Sequence, residues 1–285
     1  MDLECLGSAP PSPFLKWPGG KRWLTTYILR VLDGMDFKTY FEPFLGGGAL
    51  FFALNLPENV ILSDINPDLI NTFIQVRQKP HYLIRKLQQL PVNKSTYEKL
   101  RLEKPANRID QAIRFLYLNR TAFGGMYRLN RQGHFNVPYG GGERTPKPLW
   151  RDGLIVNAAK RLKHAKLICA DFEDVLSAAS SRDLVYCDPT YTVAHDNNGF
   201  IRYNERNFSW EDQKRLAATC QKLSRRGVSV IISNAAHDKI LELYSFCEVH
   251  YMNRISRLCP NSKKRRPINE LLFISHPKSK PQRPL

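Results

Sequence analysis

The 285-residue sequence, 42% apolar and 24% charged, is long enough to bury one large core or two smaller ones. Its formal charge of +17 raises the local anion concentration and favours nucleic acid or an anionic surface over a neutral small substrate alone. Six scattered cysteines without a C-x-x-C pair, an N-terminus with neither a basic nor an apolar segment, and no apolar run near ~18–20 residues argue against disulfides, zinc, a secretory signal and a membrane span, and point to a reducing, cytoplasmic setting.

Residues 1–13, rich in Pro and Ser, read as a disordered leader. "FLKWPGGKRWLTTYILRVL" follows as a glycine turn running into an amphipathic helix. "KTYFEPF" reads as a strand, "LGGGALFFAL" as a turn and helix, and "NVILSD" as a second strand ending in Asp64. That β-turn-α-β order, with acids at strand ends, predicts a doubly wound α/β sheet. From Asn66 to Arg120 the apolar spacing changes to three and four: "NPDLINTFIQVRQ", "PHYLIRKLQQL", "KSTYEKLRLEK" and "RIDQAIRFLYLNR" predict a helical insertion. "TAFGGMYRLNRQGHFNVPYGGGERTPKP", with Arg131-Gln132-Gly133 between short extended runs, predicts a hairpin and a flexible loop.

The α/β pattern then resumes. A helix around "DGLIVNAAKRL" leads to strands "AKLICAD" and "DLVYCDP", a long helix "SWEDQKRLAATCQKLSRRG" and the strand "VSVIIS". A helix near "HDKILELY" and strands "FCEVHYM" and "ELLFIS" complete it, and residues 277–285 read as a disordered tail. Ser209 with Asp212 three residues on is a capping pattern for the long helix, and Gly227 its stop. The expected organisation is an α/β domain of residues 14–66 and 157–276 interrupted by an inserted domain of residues 67–156.

In a doubly wound sheet the ligand lies beyond the carboxyl ends of the strands. The groups there are Glu42, Gly46 to Gly48, Asp64, Asp171 and Asp188. Glycines allow close approach to the backbone, and an acid ending the next strand suits ribose hydroxyls, which together favour an adenosine-containing cofactor. A nicotinamide dinucleotide would want G-x-G-x-x-G, and "GGGALF" lacks its third glycine. S-adenosylmethionine, with a carboxylate, an ammonium, a ribose and an adenine, suits a lysine and several acids better. A nicotinamide oxidoreductase stays as the alternative of another class.

"FLKWPGGK", "FEPFLGGGA", "LSDINPDLI", "FLYLNR" with "FNVPYG", "DPTY" and "NELLFIS" occur in the order found in the Dam-like (D12 class) DNA adenine-N6 methyltransferases, and the chain resembles that family from Phe14 to Ser275. The resemblance implies a Rossmann-like fold carrying an inserted, hairpin-bearing recognition domain, and methyl transfer from S-adenosylmethionine to a flipped-out adenine of double-stranded DNA. It assigns Trp17 and Lys21 to the cofactor, the lysine facing the methionine carboxylate. Glu42, Gly46 and Gly48 line the same cofactor, Asp64 takes its ribose, and Asp171 and Phe172 lie near its adenine, although Asp171 equally suits a helix cap. Asp188 and the Pro189 carbonyl would accept the two hydrogens of the adenine amine, and Tyr191 offers a face to the extruded base. Neither a metal nor a covalent enzyme intermediate is implied, and a monomer is favoured.

Thr190 stands where the family carries a second proline; it relaxes φ and adds a hydroxyl. The acceptors remain, so reduced or retuned activity is expected, with a silent DNA-binding homologue as the alternative. Asn119, Arg120, Phe123, Met126, Tyr127 and Arg128 fall in the block that resembles the recognition hairpin, Arg128 aligning with a guanine-reading arginine. Gly124 replaces an asparagine of the family's namesake, which leaves the recognition sequence open, GATC included. Arg131, Arg144 and Lys147 are expected on phosphates, as is the basic stretch "RISRLCPNSKKRRP" if it faces the active site. "TVAHDNNGFIRYN", with His195, is expected to form a lid.

Overall fold

Strands β1 (Thr39–Glu42), β2 (Asn59–Asp64), β3 (Ala165–Cys169), β4 (Leu184–Cys187), β5 (Ser229–Ala235), β6 (Glu248–Ile255) and β7 (Pro267–Ser275) join in one sheet ordered β3-β2-β1-β4-β5-β7-β6. The structure is a computed structural model that describes residues 12–17, 19–130, 132–142, 146–150, 152–192, 208–255 and 267–276. β1 pairs parallel with β2 and β4, and β4 with β5, whereas β7 inserts antiparallel between β5 and β6. The order steps outward from β1 to β3 and restarts at β4, so direction reverses between β1 and β4, the point at which such sheets open a crevice at their carboxyl ends. The doubly wound, Rossmann-like mixed sheet expected from the sequence is the one observed. Among the described residues no helix is long and apolar enough to cross a membrane.

The described chain falls into two compact units, one of the residues up to Met35, Gly46–Leu56 and Asn66–Leu167, the other of Asp36–Leu45, Pro57–Ile65 and the residues from Ile168 onward. The first is helical: α1 (Thr25–Val31), α2 (Ala49–Ala53), α3 (Pro67–Gln78), α4 (Pro80–Gln89), α5 (Lys94–Leu102), α6 (Arg108–Thr121), α7 (Pro146–Leu149) and α8 (Asp152–Arg161). The starts of three helices are written in asparagines. The side chains of Asn66, Asn93 and Asn107 accept from backbone amides of the first turns of α3, α5 and α6, satisfying donors that a helix cannot pair internally. Tyr97 and Tyr117, fully buried, donate their hydroxyls to the carbonyls of Val137 and Pro91 and so tie α5 and α6 to neighbouring loops. The hairpin is thin: Leu129 bridges Phe135, and Ala122 bridges Tyr139.

In the second unit the strands alternate with period two. Phe41, Val185, Cys187, Val230, Ile232, Leu271 and Phe273 pack on one face with α9 (Phe172–Leu176) and α10 (Trp210–Arg225), forming the core. The intervening positions on β1, β4, β5 and β7 carry Tyr40, Glu42, Tyr186, Ser233 and Glu270, a polar set on the other face. α11 (Asp238–Leu243) precedes β6. The predicted capping box forms: Ser209 accepts from the Asp212 amide, and the Asp212 carboxylate accepts from the Ser209 amide and hydroxyl. Gly227, at φ +83°, takes the left-handed turn after α10.

Candidate active site

Three carboxylates close three parallel strands of the second unit. Glu42 ends β1, is 2% exposed and accepts the hydroxyl of Tyr40 at 2.8 Å. Burial, with Glu42 beside it, pushes the Tyr40 phenol well above its usual range, so it stays a donor. Asp64 ends β2 and is partly exposed, the position from which a carboxylate can accept from vicinal hydroxyls. Asp188 follows β4 and is also partly exposed. Its Oδ1 accepts the Ser233 hydroxyl at 2.7 Å, and Ser233 Oγ lies 3.2 Å from the Tyr186 hydroxyl. Pro189 is buried, Thr190 is exposed, and Tyr191 donates its hydroxyl to Glu270 Oε2 at 2.8 Å. Cys187, next to Asp188, is held protonated by burial and by its contact with Cys220, which removes it as a nucleophile.

Asp171 and Phe172 begin α9. The Asp171 carboxylate caps that helix, accepting from the Glu173 amide at 2.9 Å, and the same oxygen pairs with Arg215 at 2.8 Å. The capping role that the sequence left open is therefore formed. Arg215 also binds Glu173 and Asp212, and its guanidinium lies 4.9 Å over the Phe172 ring. Its contact with Glu173, outweighing desolvation, raises its pKa further, so the guanidinium stays charged at any physiological pH. Phe172, 4% exposed, packs on Phe44 and Phe208.

In the first unit, Trp17 lies on the glycine turn. A Cβ on Gly46 (φ +47°) would stand 2.8 Å from Trp17 Nε1, and one on Gly47 2.9 Å from Trp17 Cβ. The glycines are thus needed for close approach of an indole as well as for the turn, and Gly48 (φ +68°) starts α2 in the left-handed region. Lys21 is 4% exposed and donates to the Gly19 carbonyl at 3.2 Å. Tyr127 stacks on Trp17 at 6.1 Å between centroids, contacts Phe115 and Phe135, and donates its hydroxyl to Asp68 at 2.8 Å.

Two residues expected at DNA, Asn119 and Arg120, hydrogen-bond to main-chain carbonyls of the first unit. Asn119 is fully buried; its amide oxygen accepts from the Lys16 amide, and its amide nitrogen donates to the carbonyls of Lys16 and Gly125. Arg120 directs its guanidinium to the carbonyls of Phe14 and Leu149. Both bind the segment before α1; Asn119 does so from a fully buried position, whereas Arg120 is partly exposed. The rest of the set is more accessible: Phe123 is 50% exposed, Met126 is partly buried, and Arg128 is braced across the hairpin by Asn136 at 2.8 Å. Arg131, Arg144, His195 and most of the lid, the basic stretch from residue 256 to 266, the side chain of Lys147, residues 1–11 and residues 277–285 lie outside the described residues.

Ser233, Glu270, Tyr186 and Arg215 surround the expected site residues, and reasoning from sequence assigned them no role. The signal for Ser233 and Glu270 was a polar residue within a strongly apolar strand, at the parity opposite the core positions.

Residues 17–258 match the family model described as D12 class N6 adenine-specific DNA methyltransferase. The chain is 35% identical over 274 residues to the type II methyltransferase M1.LlaDCHI of Lactococcus lactis subsp. cremoris, covering 93% of this chain and 95% of that protein. It is 35% identical to the type II methyltransferase M.MjaIII of Methanocaldococcus jannaschii, covering 93% and 99%. It is 32% identical to the DNA adenine methylase of Escherichia coli K12, covering 93% and 95%.

Proposed function

Because the chain belongs to the D12 class of N6 adenine-specific DNA methyltransferases, we propose that it transfers a methyl group from S-adenosylmethionine to N6 of an adenine extruded from duplex DNA. The observation that carries this reading is the end of β4: a partly exposed Asp188 carboxylate fixed by Ser233 at 2.7 Å, followed by a proline carbonyl and an aromatic ring. The exocyclic amine of adenine is a poor nucleophile, since its lone pair is delocalised into the ring. Two acceptors on its hydrogens favour a tetrahedral nitrogen with an available lone pair, and Asp188 and the Pro189 carbonyl are such a pair. Tyr191 gives the extruded base a stacking face that offsets the unstacking cost. The proton released afterwards passes to water.

The residues fit the cofactor. Asp64 offers a strand-end carboxylate to ribose hydroxyls, and Asp171 and Phe172 stand at the end of β3 with an ordered carboxylate. Cβ atoms on Gly46 and Gly47 would intrude on the Trp17 indole, so the glycines are what let the indole lie on the turn. Lys21 carries the ammonium that suits a ligand carboxylate. When bound, S-adenosylmethionine supplies an electrophilic methyl group on a sulfonium. The +17 charge supports a polyanionic substrate, with Arg128 as the base-reading candidate and Phe123 as the exposed wedge. Thr190 is exposed, and Ser233 and Glu270 bind Asp188 and Tyr191, which supports an active enzyme over a silent homologue.

The test is transfer of label from methyl-tritiated S-adenosylmethionine to genomic duplex DNA lacking N6-methyladenine. The native protein should label N6 of adenine and Asp188→Ala should not; an unlabelled product with the native protein overturns the reading.

A further inference from the structure

We propose that Ser233 and Glu270 are positioning residues of this methyl transfer, Ser233 fixing the rotation of the Asp188 carboxylate and Glu270 fixing the Tyr191 ring. The proposal rests on the reading above, since it concerns the groups that would receive the adenine amine.

Ser233 is completely buried on β5, and its hydroxyl carries one hydrogen. An ionised Asp188 can only accept, so that hydrogen goes to Asp188 Oδ1 at 2.7 Å. Tyr186, 3.2 Å from the same Oγ, must then donate to Ser233, and the chain runs in one direction, from Tyr186 through Ser233 to Asp188. The terminal torsion of an aspartate is broad and nearly two-fold, so a carboxylate at the end of a strand does not fix its own plane. The hydrogen donated by Ser233 restrains that torsion and helps to define the acceptor directions of Asp188 before any substrate arrives.

Glu270 is 1% exposed in β7, beside the apolar Leu271, Leu272 and Phe273. A carboxylate is costly to bury unless hydrogen-bonded, and the hydroxyl of Tyr191 donates to this one. Tyr191 lies in the irregular segment after β4, where no helix or strand sets its direction. Glu270 is opposite Ala235, and Ala235 is two residues from Ser233, so Glu270 and Ser233 stand on one face of the sheet. Cys187 is opposite Ile232, which brings Asp188 to the level of Ser233. Adjacent strands of a rigid sheet thus hold a carboxylate and an aromatic ring that are only three residues apart in a loop. Placing such groups on the scaffold is worth much in rate, because displacement by ~1 Å can cost on the order of 100-fold.

The test compares steady-state methyl transfer by Ser233→Ala, Ser233→Thr, Glu270→Ala, Glu270→Gln, Tyr191→Phe and the Glu270→Ala/Tyr191→Phe double variant, with thermal unfolding as a check on folding. Ser233→Ala should lower kcat on the order of 10–100-fold with KM for S-adenosylmethionine unchanged, and Ser233→Thr, which keeps the hydroxyl, should recover most of it. Glu270→Gln keeps an acceptor oxygen and should stay near native activity. Tyr191→Phe should reproduce the Glu270→Ala defect, and the double variant should be no worse than either single one, since both remove the same contact. Native kcat in Ser233→Ala, no recovery in Ser233→Thr, or additive losses in the double variant would overturn the proposal. A silent native protein would instead sink the methyl-transfer reading itself, so the two failures are distinct.

Discussion

Replacing Gly46 by alanine tests whether the glycine turn is built around Trp17. Gly46 has φ +47°, so any side chain there meets left-handed strain of ~1–2 kcal/mol. The added Cβ would also stand 2.8 Å from Trp17 Nε1 and 3.0 Å from Cδ1. Ordinary contact begins near ~3.5 Å, so the indole or the turn must yield by about 0.7 Å. Overpacking of that kind costs ~1–3 kcal/mol, giving a total of ~2–5 kcal/mol. Gly34 is the control: at φ +74° with nothing within 4 Å of its Cβ, Gly34→Ala carries the backbone strain alone. Equilibrium urea unfolding should therefore show Gly46→Ala less stable than Gly34→Ala by ~1–3 kcal/mol. Calorimetric titration with S-adenosylmethionine should show weakening on the order of tenfold in Gly46→Ala, equivalent to ~1.4 kcal/mol, and none in Gly34→Ala. Equal stability and equal cofactor affinity in the two variants would refute the reasoning.

Arg215→Ala should lower stability by only ~1 kcal/mol, because the guanidinium is half-exposed and its pairs are screened, yet it should weaken S-adenosylmethionine binding several-fold through Asp171, measured by the same titration. Asn119→Ala should destabilise the fold by ~1–3 kcal/mol in urea while the remaining folded protein binds DNA as before; unchanged stability with weakened DNA binding would instead support a DNA-contact role. Burial alone would raise the Asp212 carboxyl, but the Ser209 amide and hydroxyl and Arg215 outweigh it and hold it below its usual range. Its stabilisation is therefore complete above an unfolded-state value near ~4 and fades as pH falls below that, so Asp212→Asn should be less stable at neutral pH and show a shallower acid limb in pH-dependent unfolding. Thr190→Pro should change kcat without creating activity; transfer by that variant and none by the native protein would show that threonine silences the site.

The fold was legible where a single period dominates. The three-four spacing from Asn66 to Arg120 formed helices as predicted, as did the short apolar strands "NVILSD" and "VSVIIS" and the Ser209–Asp212 pair. The functional set was less legible because residue type does not tell which way a side chain faces. Asn119 was expected at DNA because its block resembles the recognition hairpin, yet it lies three and four residues after Leu116 and Phe115, on the buried stripe of α6. Helical spacing therefore predicts burial for it, and the amide serves main-chain groups of a segment more than 100 residues away, at a separation of 103. Ser233 and Glu270 escaped for a related reason. Each looks like a stray polar residue within its own strand, and only the pairing of β5 with β7 brings them to one face. Such long-range registry is set by sheet assembly and leaves no local mark.

The claim that Asp188 receives the adenine amine is tested most directly by counting N6-methyladenine in DNA from a host lacking other adenine methylases and expressing either the native protein or Asp188→Ala at equal levels. Mass spectrometry of digested nucleosides should find N6-methyladenine with the native chain and none with the variant. Equal amounts from both, or none from the native chain, would contradict the account.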